Sequence, residues 1–179
     1  MAQQFRLVLK SGPDNIRKFT EDADESFKRG ELVKLTGTTT GCDVVAITGT
    51  PSTGLLGVAA KNGQNTTTPP EKAEVYVVTP EQVWELHATD GKKPNTAYTL
   101  GEAYKVDQLT SATFTVTREA ETASTTVSMR GPVLVTGTAT TASQGLVLIG
   151  YADEATKGKK GQKVLVRFAP DACQTLKGR

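Results

Sequence analysis

The chain spells one phrase nearly twice, and this constrains its fold more than any single residue does. "ITGTPSTGLLGVAAKNG" begins at Ile47 and "VTGTATTASQGLVLIGYADEATKG" at Val135, each carrying an apolar run stopped by glycine. Neighbouring segments repeat in the same order. "FKRGELVKL" (Phe27 to Leu35) answers "YTLGEAYKV" (Tyr98 to Val106), which sets Gly30 against Gly101. "ITGT" and "VTGT" set Gly49 against Gly137, and "GLLGVA" and "LVLIGYA" set Gly57 against Gly150. "VYVVTPEQVWEL" and "VLVRFAPDACQTL" set Pro80 against Pro170 and Leu86 against Leu176. The offset grows from about 70 to about 90 residues, so the second copy carries an insertion.

Each copy reads as strands. "ELVKL", "DVVAI", "GLLGVA" and "EVYVV" are short, aliphatic or β-branched, and bounded by glycine or polar turns; "EAYKV", "PVLVTG", "LVLIGYA" and "KVLVRF" follow in the same order. With 17 glycines, 8 prolines and frequent threonine, the composition favours strands and turns over long helices. Gly57 and Gly150, inside or just beyond apolar runs, mark bulges, bends or close backbone approach. After its last strand each copy is expected to form a short helix. In "TPEQVWEL", Thr79 is the N-cap, Pro80 the first helical residue and Gln82 the capping-box partner, with Val83, Leu86 and His87 on one face. "APDACQTL" has Ala169 at the cap position and should be the weaker helix. "TFTVTREAETASTTVSM" alternates polar and apolar residues, predicting a hairpin with a threonine-rich outer face.

The expected fold is therefore mainly β: two tandem related β-sandwich or barrel-like units with short helices, an inserted hairpin and an extended N-terminal arm. The bounds are an arm over 1–26, a first unit over 27–89, a linker over 90–97 and a second unit over 98–179, with the hairpin at about 107–130. The arm has no counterpart in the second copy. It reads equally as a segment that orders against a neighbour and as a disordered tail.

Catalysis needs converging titratable groups, and the sequence offers few. His87 is the only histidine and reads as a packing residue. Cys42 and Cys173 fall in unlike places, implying neither a disulfide framework nor a metal site, so both read as buried thiols. No nucleophile elbow, HExxH or phosphate-loop pattern occurs. A net charge of +2 does not suggest nucleic acid. No run is long and apolar enough to span a bilayer, and "MAQQFRLVLKSG" lacks a signal peptide's apolar stretch. "KGKKGQK" (Lys157 to Lys163) reads as a solvated hairpin tip, or as contact with an acidic protein surface. Trp84 reads as core or subdomain packing.

"SFKRGELVKLTG…VVAITG…GLLGVAAKNG…EVYVVTP" and "LGEAYKV…GLVLIGYADEATKGKKGQKVLVRF" together resemble the capsid decoration, or cement, proteins of tailed bacteriophages. The likeness covers roughly Phe27 to Phe168 and rests on short glycine-based motifs. It implies a non-enzymatic protein without cofactors, made in the host cytoplasm and carried on the outer capsid surface of the virion. Such a protein binds the major capsid protein and reinforces seams between its subunits, commonly as a homotrimer, with no nucleic-acid or membrane partner. Expected contact residues are Phe5, Leu7, Leu9, Ile16 and Phe19 on the arm, Phe114 and Val116 on the hairpin, and Lys157, Lys159 and Lys160 in the basic loop. The alternative is a receptor- or glycan-binding β-module of a phage fibre or appendage. A small hydrolase using His87 with Asp and Glu is a third reading.

Overall fold

The protein is represented by a computed structural model that describes residues 3–4, 6–38, 41–47, 57–88, 98–117, 124–138, 145–152 and 162–173. The short aliphatic runs form strands, in chain order β1 (Gln3–Gln4), β2 (Val8–Ser11), β3 (Ile16–Glu21), β4 (Leu32–Thr38), β5 (Gly41–Ala46), β6 (Gly57–Ala59), β7 (Ala73–Val77), β8 (Val83–Ala88), β9 (Ala103–Thr117), β10 (Ser124–Thr138), β11 (Gly145–Tyr151) and β12 (Lys163–Phe168). The protein is mainly β, as its composition and turn spacing indicate.

Two rings of five strands hold the core. In the first, the order β3-β5-β4-β6-β7 closes into a barrel, with β3 parallel to β5 and antiparallel to β7. In the second, β10, β9, β11, β12 and β8 are neighbours in a seven-stranded sheet. A further parallel pairing of β10 with β8 completes the circuit. Closure satisfies backbone groups that an open sheet would leave at its edges. β2 flanks the second ring, antiparallel to β8, and β1 runs parallel to β10.

The ladders of the two rings agree residue by residue. Leu35 pairs with Val44 as Val106 pairs with Leu134, and Val33 with Gly57 as Tyr104 with Leu146. Val58 pairs with Tyr76 as Val147 pairs with Arg167. Thr20 pairs with Asp43 as His87 pairs with Val133. Gly30 and Gly101 each sit in a four-residue turn at φ +85° and +86°, where glycine is unstrained. Their N–H groups donate to Ala59 O and Leu148 O, both at 2.8 Å.

The interiors follow that register. In the first ring Phe27, Val33, Val44, Ala59, Ala73 and Val75 are buried together, with Phe19 and Leu35 packed against them. At the matching positions of the second ring, Tyr98, Tyr104, Leu134, Leu148, Val164 and Val166 belong to the larger cluster, as do Leu86 and Val106. Bulkier side chains in the second ring meet edge to face, as Tyr98 and Tyr104 do at 5.1 Å between centroids.

Several sequence expectations need correction. "TPEQVWEL" is not a helix: a tight turn at Thr79–Gln82 leads into extended β8. The residues carry both periods, and Trp84, Leu86 and Ala88 alternate inward. One half of the expected capping box is nevertheless present: Thr79 N–H donates to Gln82 Oε1 at 3.0 Å, while Gln82 N–H donates to the Thr79 carbonyl. Ile16–Glu21, assigned to the arm, is a strand of the first ring standing where Val83–Ala88 stands in the second. The first unit's strands therefore begin at Ile16 and end at Val77, and β8 belongs to the second ring. Gly57 is matched by Leu146, not Gly150. A Cβ at Gly57 would run into the Tyr76 carbonyl oxygen, so close approach fixes glycine there. Gly150 instead follows a bulge between Leu148 and Gly150.

Among the described residues of "APDACQTL", Pro170–Ala172 form a 3-10 turn, with no side-chain cap at Ala169. The expected hairpin is the long β9–β10 pair. The linker 90–97, Gly49 and Leu176 lie outside the described residues.

Candidate partner interface

The seam between the rings shows what kind of contact this chain builds. The outward row Leu32, Val58 and Tyr76 crosses the first ring on β4, β6 and β7. Leu32 and Val58 are buried at 0% and 1% exposure within the core cluster dominated by the second ring. Trp84 lies between Tyr76 and Phe168, edge to face with each at 5.8 and 6.0 Å. Such aromatic geometry adds to the area that burial removes from water. Leu32 N–H donates to Gln108 Oε1 at 3.1 Å across the seam.

One charged clamp joins the rings. Arg130 on β10 donates through Nε to Glu31 Oε1 at 2.6 Å and through Nη2 to Glu31 Oε2 at 3.1 Å, in fork geometry. Nη2 also donates to Ser26 O at 2.7 Å, and Lys28 N–H supplies a further bond to Glu31 Oε2. The Glu31 hydrogen bonds hold the Arg130 pKa above its ordinary value, against desolvation. The Glu31 side chain is 3% exposed, so its charge depends on these donors.

The arm is laid across this seam. Leu7 N–H donates to Gly30 O at 3.1 Å, and Leu7 is buried in the core. Leu9 packs against the same cluster. Phe19 packs into the first ring. Leu7, Leu9 and Phe19 are thus held within their own chain, which corrects the picture of an arm of apolar anchors kept for a neighbour. Ile16 is 42% exposed and Val8 45%. Phe5, Lys157, Lys159 and Lys160 lie outside the described residues. A cleft of about 280 Å³ opens beside the arm, bounded by Arg6, Leu9, Arg29, Tyr76 and Trp84.

Phe114 and Val116 stand on β9, in register with Val127 and Thr125. The same ladder sets Thr113, Thr115 and Thr117 opposite Ser128, Thr126 and Ser124. One row of this ribbon is mostly apolar by residue type, and the alternate row is wholly hydroxyl-bearing.

Besides the Glu31–Arg130 clamp and the exposed Lys18–Glu74–Lys61 cluster, titratable groups converge around Glu85 and Glu25. Glu85 lies between Lys10 at 2.9 Å and Lys163 at 3.3 Å, tying β2, β8 and β12. Burial works to raise its pKa, but the two ammonium hydrogen bonds outweigh it and leave the value lowered. Glu25 accepts from Ala46 N–H at 2.7 Å. Its pKa is raised, first by burial, with Asp22 and Glu21 adding repulsion. His87, half-buried on β8, is in register with Lys163 of β12. Among the described residues, no group of three or more His, Cys, Asp or Glu could hold a metal ion. No helix among them is long and apolar enough to cross a membrane.

What the sequence missed was the open wall of the second ring. Its row Ala103, Val147 and Arg167 corresponds to Leu32, Val58 and Tyr76, and none of the three is fully buried. Leu100 and Ile149 beside it are 60% and 37% exposed. The signal lay in the repeat itself, because Leu100 occupies the place of Arg29. Comparison with family models, curated proteins and solved structures finds no match.

Proposed function

We propose that this chain is a structural protein of a tailed-phage particle, a decoration protein that binds the outside of the assembled head and braces contacts between major capsid subunits. The reading rests on the glycine-based motif likeness and on one observation above others: two β-rings are clamped into one body through Glu31–Arg130 and the Tyr76–Trp84–Phe168 stack. A body of this kind suits recognition by broad surface contact. The two rings read as copies of one β-unit, and a homotrimer is the expected form.

Stabilisation would follow from linkage. A protein that binds the closed lattice and not its loosened state contributes RT ln(1 + [L]/Kd) per site, about 2.7 kcal/mol at a hundredfold excess over Kd. Repetition over many equivalent sites multiplies that amount. Co-sedimentation with emptied and DNA-filled heads tests the proposal. The protein should pellet with heads and raise the temperature at which they release DNA. Protein left in the supernatant at saturating head concentration would overturn it.

A further inference from the structure

The second ring's open wall has a covered counterpart within the same chain. In the first ring, Val58 is flanked by Leu32 and Tyr76; in the second, Val147 is flanked by Ala103 and Arg167. The adjoining turns are alike in φ and in their bonds to the wall. Their surroundings differ. The Arg6 side chain stands 2.7 Å from the Cβ position at Gly30, whereas nothing lies within 4 Å of that position at Gly101. Glu31 is 2% exposed, while Glu102 is exposed. Leu100 stands where the first ring has Arg29, and Ile149 is the extra residue of the β11 bulge, without a counterpart in the first ring; both add exposed apolar surface. The open wall thus carries a leucine where its covered equivalent has an arginine, and an added isoleucine beside it, contrary to what solvent exposure favours.

We propose that the first ring of a second copy of this chain covers this wall, head to tail. The internal seam supplies the precedent: the first ring's wall receives the entry end of the ring that follows, where Trp84 on β8 meets Tyr76. β3 is the matching entry end. Arg17 pairs with Val75 as Trp84 pairs with Val166, and Ile16 precedes it with 42% exposure. Ile16 supplies apolar contact for Leu100 and Ile149, and Arg17 a cation for Glu102. Arg167 on the wall has Glu81 in its field: the Glu81 pKa is lowered first by a Thr79 side-chain hydrogen bond and also by the Arg167 charge. Contacts between unlike faces generate closed rings when the rotation closes. This deepens the oligomer expected above without requiring a capsid, so the capsid reading can fail while this stands, and the reverse.

The test is mass in solution, by light scattering on wild type, Leu100→Asp and Ile16→Asp, each checked for unchanged circular dichroism. Arg17→Glu replaces Ile16→Asp if that variant fails to fold. Wild type should exceed the 19.0 kDa of one chain, and each variant alone should fall to it. Mixed in equal amounts, the two variants should form a dimer and stop there, since one intact pair of faces remains. A monomeric wild type, an oligomer untouched by either substitution, or a mixture that stays monomeric would each overturn the proposal.

Discussion

Replacing Arg130 by methionine would test whether the clamp between the rings is structural. The substitution keeps much of the side-chain volume and removes the guanidinium. It leaves Glu31, 3% exposed, with the Lys28 N–H bond at 2.9 Å but without its two arginine bonds. Breaking a fully buried pair from one side costs about 3–5 kcal/mol. The Arg130 side chain is 27% exposed, so water partly screens the pair and the expected loss is about 2 kcal/mol. At roughly 2–4 °C per kcal/mol for a chain of this size, the melting temperature should fall by about 4–8 °C. Urea unfolding should show an earlier midpoint with an unchanged slope, because the larger core cluster draws on both rings and couples them. Glu31→Gln in the same background should restore part of the loss, giving a coupling of about 1 kcal/mol or more in the double-mutant cycle. A loss below about 0.5 kcal/mol with additive single effects would refute the reasoning.

Three further outcomes are expected. Gly57→Ala should destabilise by about 2 kcal/mol or more, since its Cβ runs into the Tyr76 carbonyl; Gly101→Ala should cost only about 1 kcal/mol of φ strain, and a reversed order in urea melts would contradict the packing. Glu85→Gln should cost about 0.5–1 kcal/mol at pH 7, discounted for its half-exposed lysine partners. A lowered carboxylate stabilises above its unfolded pKa and loses that contribution as pH falls through the folded value, so the gap should close as pH falls below the ordinary carboxylate range; a gap persisting in strong acid would be the contrary result. In a Cys42→Ala background, Cys173 should react with a disulfide reagent at pH 8 at least about 100-fold more slowly when native than in urea, because burial, with the Glu81 charge, pushes its thiol up to about 11. Equal rates would show that the thiol is open.

The strands, the glycine turns and the long hairpin were legible because each is written locally, in alternation and in residues that punctuate it. The strand that closes each ring was not. In "IRKFTE" only Phe19 is an apolar residue packed inward; Glu21, also buried, accepts from the Gln64 main chain and its Nε2, a partner 43 positions away. "VWELHA" was misread because Val83, Leu86 and His87 fit a helical face as well as Trp84, Leu86 and Ala88 fit a strand. What decides is parallel pairing to Val133 and Leu134, far along the chain. The repeat sets Leu100 against Arg29, but which of the two walls is covered emerged only from burial at the matched positions.

The chain passes from β7 to β8, from one ring to the next, through the short turn at Thr79–Gln82, and the Gln82 amide donates to Pro13 O at 2.8 Å, pinning that turn to the segment before β3. Such a join has no slack. The chain therefore works as a ruler: any target it touches with both rings at once must present its two footholds at one fixed spacing, and a lattice stretched or compressed away from that spacing would lose one of them.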